Sequence, residues 1–574
     1  MCLNAKDNYI KRGEKMFNDS KIWVAKSNDE KVYIYPKMAN RHGMIAGATG
    51  TGKTVTLKVL AESFSECGVP VFLADVKGDL AGMCAPGADS EDMQQRIARF
   101  GLSEEGFKYT SYPTTFWDVY GEKGLPLRTT ISEMGPLLLS RILGLNEVQS
   151  DILTVIFKIA DDQGLLLIDT KDLRSMLTYV GENASDFSLT YGNITKQSLG
   201  SIIRAVIALE SEGGDLFFGE PALNIRDWIG QDFTGKGNIQ VLDCQKLINN
   251  PTMYSTFLLW MLSELYETLP EAGDLEKPRI VFFFDEAHML FDSASKALLE
   301  KIEQIVKLIR SKGVGIFFIT QNPKDIPDGV LSQLGTKIQH ALRAYTPSEL
   351  KAAKAACMSF RENPEFDTFE TLTSLGIGEA LVSVLDEQAV PTMVKKCNIL
   401  PPQSLMGSID DNLRASQINS NILYVKYVEA VDRDSAYEFL QRKALSDEEA
   451  RAKAAEEEAA RKEAEKAAIA EQKAAEKAAI AEQKALEKQA IAEQKAAEKA
   501  ALAEQKAAQK KIDDRNKALK SAGKSVASSV TGTVGREAGK ALGGTVGGKF
   551  GKTLGGNVGA SLGRGLVGTL FKLK

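Results

Sequence analysis

The segment Met44–Glu62, MIAGATGTGKTVTLKVLAE, leaves a chain few ways to fold. Three apolar residues, Met44–Ala46, lead into G-x-x-x-x-G-K-T, and Val55, Leu57, Val59 and Leu60 follow in an amphipathic pattern. The pattern predicts a short strand, a glycine-rich turn and a helix, the context in which such a motif cradles phosphate. Gly47, Gly50 and Gly52 let backbone N–H groups converge on phosphate oxygens. The helix N-terminus adds its partial positive charge. The loop Gly47, Ala48, Thr49, Gly50, Thr51, Gly52, Lys53, Thr54 and Val55 is therefore expected to hold ATP. Lys53 would reach the β- and γ-phosphates, and the Thr54 hydroxyl would ligate Mg²⁺.

A second segment, RIVFFFDEAHML, completes the chemistry. Ile280 to Phe284 form an apolar run that predicts a fully buried strand ending at adjacent carboxylates. Open α/β sheets place ligands at the carboxyl ends of their strands. Asp285 is thus expected to hold Mg²⁺ through water, and Glu286 to act as general base on the attacking water. His288 is either a structural residue or one coupled to the nucleotide site. The strand GIFFITQ ends at Gln321, which is expected to sense the γ-phosphate or simply to hydrogen-bond a strand end. Arg310 and Lys312 precede that strand and fall at its other end. Arg310 is a candidate for an arginine acting on a neighbour's nucleotide in a ring, the bland alternative being a basic surface turn. Arg343 is a second candidate. VPVFLADVKGDL, Val69–Leu80, reads as another buried strand, placed in the same parallel sheet by the right-handed crossover rule. Asp75 at its end either orders the Mg²⁺ region or caps the turn that carries Lys77 and Asp79.

With 574 residues there is room for more than one unit. Residues 1–43 are expected to hold a strand hairpin, IWVAK and KVYIYP. Residues 44–84 are read as the P-loop half of the core, 85–270 as a largely helical insertion, and 271–440 as the half with the paired carboxylates and the sensor. Within the insertion, Arg128 and Glu133 could serve a substrate or an inter-subunit contact. Residues 445–517 are rich in Ala, Glu, Lys and Gln, with Ile469, Ile480, Ile491 and Leu502 spaced at eleven residues. This composition predicts a long helix, and an eleven-residue period departs from a left-handed coiled coil. A solvated single-helix spacer and a self-associating coiled coil both fit.

Residues 523–574 repeat glycine every fourth position from Gly535 to Gly563, each preceded by an apolar residue. Either the tail is flexible, or its glycine strip packs closely against a helix or a lipid surface. From Ser521 it carries eight Lys/Arg against one Glu, although the chain as a whole has a formal charge of −5. General attraction to an anionic lipid surface would therefore sit there. Six cysteines without a C-x-x-C pair and three histidines make a zinc site unexpected. The N-terminus lacks an apolar leader and no apolar run is long enough to span a bilayer, so a reduced cytoplasmic setting is expected.

GATGTGKT, DVKGDLAGM, RTTISEMGPLLLSRILGLNEVQ, LESEGGDLFFGEPAL, VFFFDEAHMLF and IRSKGVGIFFITQNPKDIPDGVLSQLGTKIQHALRAYTP, in that order, resemble the HerA-like helicase family, the YjgR-like proteins. The resemblance runs over roughly residues 15–400. It implies an α/β fold: a RecA/HerA-like P-loop NTPase core with a parallel sheet, a helical insertion, a long C-terminal helix and a Gly-rich tail. Relatives of HerA/FtsK type form hexameric rings that translocate duplex DNA. The resemblance thus implies a homo-oligomer, a hexameric ring, and DNA as substrate, none of which composition shows. It matches Gly52, Lys53 and Thr54 to the nucleotide loop, Asp285 and Glu286 to the metal and catalytic carboxylates, Gln321 to the sensor, and Arg310 to the trans-acting arginine. HerA proper has an N-terminal β-barrel, for which the residues before Met44 are too few. A rival expectation is an ATP-dependent assembly or anchoring scaffold that holds partners through its helix and tail. A GTPase is not expected, because Asn322-Pro323-Lys324-Asp325 has the letters of a guanine reader in the wrong order.

Overall fold

The computed structural model describes residues 17–18, 21–273, 275–292, 296–343 and 345–513. The glycine-repeat tail expected at 523–574 lies outside the described residues. In chain order the first strands are β1 (Phe17–Asn18), β2 (Lys21–Ser27), β3 (Glu30–Ile34), β4 (Gly43–Ala46), β5 (Val71–Asp75), β6 (Thr114–Asp118) and β7 (Leu125–Pro126). The others are β8 (Ile239–Asp243), β9 (Ile280–Phe284), β10 (Val314–Thr320), β11 (Thr336–His340), β12 (Glu379–Ser383) and β13 (Lys395–Ile399). They join in one 13-stranded sheet, ordered β1-β2-β13-β12-β11-β4-β10-β9-β5-β8-β6-β7, with β3 paired to β2.

From β11 to β7 every pairing is parallel. The strands on the other flank, β12, β13, β2 and β3, pair antiparallel. The P-loop strand β4 thus lies between β11 and β10, and the carboxylate strand β9 between β10 and β5.

The buried strands explain why the sequence shows runs rather than alternation. Ile45, Leu73, Phe283 and Phe317 face a core shared with Leu57, Leu60 and Phe64 of the helix Lys53–Glu66. Ala46, Phe72, Phe282, Phe284 and Phe318 face a second core on the opposite side. Both faces exclude water, so every position of the strand selects an apolar residue. On the second face lies a helical layer, Ile131–Ile142, Glu147–Asp162, Thr170–Glu182, Lys196–Leu209 and Pro251–Thr268. Three of these helices open with reciprocal caps, Thr130 with Glu133, Asn146 with Gln149 and Asp169 with Asp172, which satisfy N–H groups left without intrahelical partners.

The expectation of a helical insertion over 85–270 needs correction. That stretch contributes β6, β7 and β8 to the sheet, and the helical layer occupies the residues between β7 and β8 together with the helix after β8. Short buried strands such as IQVLD carry no periodic signature, so a window dominated by helical patterns absorbs them.

After β13 the chain crosses the P-loop helix. Glu62, fully buried, accepts from Gln403 N at 2.7 Å through Oε2 and from Ser404 N at 3.0 Å through Oε1. Lys58, also fully buried, donates to Leu405 O at 2.9 Å. Burial lowers the Lys58 ammonium and raises the Glu62 carboxyl, each moderated by the other's charge.

The chain divides into a unit ending at Ala454 and a unit beginning at Ala455. The helix Ala436–Asp513 runs for 78 residues. In the second unit its described side chains, to Lys506, are all exposed, including Ile469, Ile480, Ile491 and Leu502. Among the described residues no helix is long and apolar enough to cross a membrane.

Candidate nucleotide and catalytic site

Five neighbouring strand ends build the site. The loop after β4 turns with Gly47 at φ 153°, Gly50 at 77° and Gly52 at 114°. These left-handed torsions suit glycine. At Gly47 space forbids any other residue, because a β-carbon there would lie 2.5 Å from His340 Cβ. The loop is tied at its start to both neighbours of β4: Gly47 N donates to Thr320 O at 3.2 Å and Ala48 N to Ala341 O at 2.9 Å. Farther on, Gly378 N donates to Thr51 O at 3.0 Å. Thr49 and Gly50 are exposed at the crest. Lys53 is buried and donates to Gly47 O at 2.6 Å and Ala48 O at 3.1 Å. Burial lowers its pKa, and the charges of Glu286 and Asp285 work against that.

Beneath the loop sits His340 at the end of β11. Its Nδ1 donates to Glu379 O at 3.0 Å, so Nε2 accepts from Thr56 Oγ1 at 2.8 Å. Burial pushes its pKa down to about 4. The ring is therefore a neutral strut between β11 and the P-loop helix.

The carboxylates stand at the end of β9. Asp285 is buried, and its carboxyl is pushed up to about 6 by burial, against the pull of Lys77. Its Oδ1 accepts from Glu286 N at 2.9 Å. Glu286 adopts φ 48°. A non-glycine residue there stores about 1–3 kcal/mol of strain, a feature common at functional sites. Lys77 Nζ lies 2.7 Å from Glu286 Oε1, Gln321 Nε2 donates to Oε2 at 3.3 Å, and His288 Nδ1 lies 3.4 Å from Oε2 without making a hydrogen bond. Burial acts to raise the Glu286 carboxyl, but the bonds from Lys77 and Gln321 hold it below its ordinary value.

Asp75 has a different task from its neighbours. Its oxygens accept from the backbone N–H of Gly78 at 2.7 Å, Asp79 at 3.2 Å and Leu80 at 3.1 Å. It caps the turn that carries Lys77. Burial, then the adjacent Asp79, pushes it up to about 7.

The structure thus brings Lys53, Asp285, Glu286 and Gln321 together and leaves Arg310 elsewhere. Arg310 is exposed in the turn before β10, at the opposite end of that strand from Gln321. It lines a cavity of about 320 Å³ with Lys37, Arg41 and Glu387. Arg343 stays near its own loop: it shares a cavity of about 370 Å³ with Ala48, Thr49, His288 and Gln321. Its guanidinium donates to Thr373 O at 3.2 Å and Leu375 O at 3.4 Å. Arg128 and Glu133 find local partners, Arg128 donating to Tyr427 O at 2.9 Å and Glu133 closing a helix cap. Asn322 and Asp325 bond each other's backbone in a short capping turn. Sequence reasoning missed His340 and the Lys77 contact. The only signals were a lone histidine before Ala-Leu-Arg and a lysine in the turn after Asp75.

Among the described residues no cluster of three His, Cys, Asp or Glu could hold a metal by itself. Thr54 and Asp285 nevertheless suit Mg²⁺, which keeps most of its waters and takes one or two protein ligands beside the phosphates.

The model of the HerA-like helicase C-terminal family matches residues 20–552. A probable helicase of Methanocaldococcus jannaschii is 34% identical over 167 residues, 27% of this chain and 30% of that protein. The DNA double-strand break repair helicase HerA of Sulfurisphaera tokodaii is 22% identical over 394 residues, 66% of this chain and 70% of that one. HerA of Sulfolobus acidocaldarius is 21% identical over 387 residues, 66% and 69% of the two chains. Among solved structures, the plasmid coupling protein TrwB in complex with ADP and Mg²⁺ matches 69% of this chain and 92% of its own at 12% identity and a TM-score of 0.45. VirB4 of Thermoanaerobacter pseudethanolicus matches 67% and 97% at 18% identity and a TM-score of 0.41.

Proposed function

This chain belongs to the HerA-like helicase C-terminal family, and from that membership we propose that it hydrolyses ATP with Mg²⁺ as a ring-forming motor of HerA/FtsK type acting on duplex DNA. One observation carries the reading: a buried lysine, a phosphate-shaped loop and two carboxylates meet at the ends of adjacent parallel strands, with Gln321 donating to one of the carboxylates at 3.3 Å.

The loop's backbone N–H groups and Lys53 would bind the phosphates. Thr54 and Asp285 would hold Mg²⁺, which would neutralise charge shared between the β- and γ-phosphates. Glu286 takes a proton from the attacking water while that water's oxygen bonds the γ-phosphorus and the bond to ADP breaks. Gln321, anchored on Glu286, orients the water. Arg310 cannot serve its own loop from the far end of β10. We assign it to a neighbour's γ-phosphate, which requires a homo-oligomer, and a hexamer is the number the resemblance implies. The relatives named for DNA double-strand break repair support DNA as the substrate.

The test is ATP hydrolysis by the purified protein with and without linear duplex DNA, alongside Glu286→Gln. Removing the base should lower turnover by roughly 10²–10⁴-fold while ATP still binds. Stimulation by duplex DNA that the variant abolishes supports the motor. Hydrolysis indifferent to DNA refutes it and favours the scaffold.

A further inference from the structure

Lys77 poses a conflict with the base it touches. It stands in the turn after β5, the strand beside β9. Its Nζ lies 2.7 Å from Glu286 Oε1, and its side chain is 44% exposed. Gln321 holds the other oxygen, Oε2, at 3.3 Å. An ammonium on one oxygen and an amide on the other stabilise the carboxylate and lower its basicity. Glu286 becomes a better proton acceptor once Lys77 has moved.

The surroundings limit where that ammonium can go. Asp75 already accepts three backbone N–H groups. Asp285 Oδ1 accepts from Glu286 N. Asp79 Oδ1 is buried and without a hydrogen-bond partner, so it is one alternative acceptor. Lys53, whose Nζ donates to Gly47 O and Ala48 O of the loop, feels the charges of both carboxylates and the opposing charge of Lys77. Two ammonium groups, one on the loop and one on Glu286, are attracted to any anion of higher charge set between them. The terminal phosphate of a nucleotide in the loop is such an anion.

We propose that Lys77 is a second cationic ligand of the terminal phosphate, exchanging Glu286 Oε1 for a γ-phosphate oxygen when ATP binds. This rests on the nucleotide reading above. One movement then does two things: it supplies positive charge where the transferring phosphoryl group bears negative charge, and it frees Oε1 for the water. Water's oxygen bonds phosphorus, the bond to ADP breaks, the proton passes to Oε1, and Lys77 stays with the released phosphate. The lysine acts as a γ-phosphate detector, because ADP offers nothing for it to reach.

The experiment compares wild type with Lys77→Ala, Lys77→Met and Lys77→Arg in binding of a non-hydrolysable ATP analogue, binding of ADP, and single-turnover hydrolysis. Losing a charge-assisted bond should weaken the analogue about tenfold, leave ADP within about twofold, and slow hydrolysis by roughly 100-fold. Lys77→Arg should recover most of the preference for the analogue over ADP. Faster hydrolysis in Lys77→Ala would overturn the proposal and make Lys77 a brake on Glu286. Equal losses for both nucleotides would overturn it in favour of a purely structural ion pair. An unchanged preference with slower hydrolysis would also overturn it and leave Lys77 a residue that only positions Glu286. Wild-type protein that binds neither nucleotide would remove the nucleotide reading itself, and this role with it.

Discussion

His340 ties the phosphate loop's stability to pH, and the effect can be worked out. In the fold its pKa is about 4, against an ordinary value of 6.5, because burial disfavours the charged ring. The folded value is depressed, so the neutral form fits the fold and the proton goes to the unfolded chain. The contribution is complete above the unfolded value and is lost as pH falls towards the folded one. At about pH 5 the linkage relation gives a loss of about 2 kcal/mol from this group alone. Other buried groups titrate too: His42 acts in the same direction, and Asp75 and Asp285 in the opposite one. The measurement must therefore be a difference. His340→Gln and wild type are unfolded with urea at about pH 7.5 and about pH 5, and the change in stability between the two pH values is compared. Gln cannot be protonated, so wild type should lose about 2 kcal/mol more on acidification, whatever the variant costs at neutral pH. ATP binding should weaken in the same interval, since a charged ring can no longer accept from Thr56. Parallel pH profiles would refute the neutral-strut account and place the titrating ring outside the fold's control.

Three further outcomes are expected. Gly47→Ala puts a β-carbon 2.5 Å from His340 Cβ. It should cost at least about tenfold in ATP affinity by calorimetry while the far-ultraviolet dichroism stays unchanged. Lys58→Met leaves Glu62 as a lone buried charge and should destabilise by about 3–5 kcal/mol, much of it recovered when Glu62→Gln is added; additive effects in the double-mutant cycle would refute coupling. Arg310→Ala and Lys53→Ala should each abolish hydrolysis, and mixing the two should restore part of it, because an intact loop then meets a neighbour's intact arginine. No recovery would refute the assignment of Arg310 to a neighbour's nucleotide.

The sequence was most legible where chemistry dictates residue type. A phosphate loop needs glycines at fixed spacing and a lysine. The Asp285–Glu286 pair needs a buried strand to deliver it. Both could be named before any fold was known. The β6 and β8 strands could not, since burial on both faces removes the periodicity that identifies a strand. Nor could the Lys77–Glu286 contact. It depends on the sheet order β4-β10-β9-β5, which sets two distant segments side by side and which no local pattern encodes. Arg128 and Glu133 show how local roles hide in the same signal. Polar residues in an aromatic stretch invite a functional reading, yet one closes a helix cap and the other secures a backbone carbonyl.

The root of the long helix has a mechanical meaning. Ser435 Oγ and Tyr437 N both donate to Asp172 Oδ1, at 2.5 and 2.8 Å, and Ala436 N donates to Leu166 O at 3.1 Å. Arg442 grips Asp434 through two nitrogens at 2.9 and 2.7 Å, and Lys443 donates to Tyr179 Oη at 2.7 Å. The bonds to Asp172, Leu166 and Tyr179 fasten the helix to the helical layer and not to the strands that carry the phosphate loop, while Arg442 ties the helix to the segment just before it. A tether fixed farther along the chain would therefore apply its torque about Asp172, and the shear would fall on the capped helix Thr170–Glu182. The sheet that aligns Lys53 with Glu286 would be spared the load, and a pull on the far end could be withstood without slackening the grip on nucleotide.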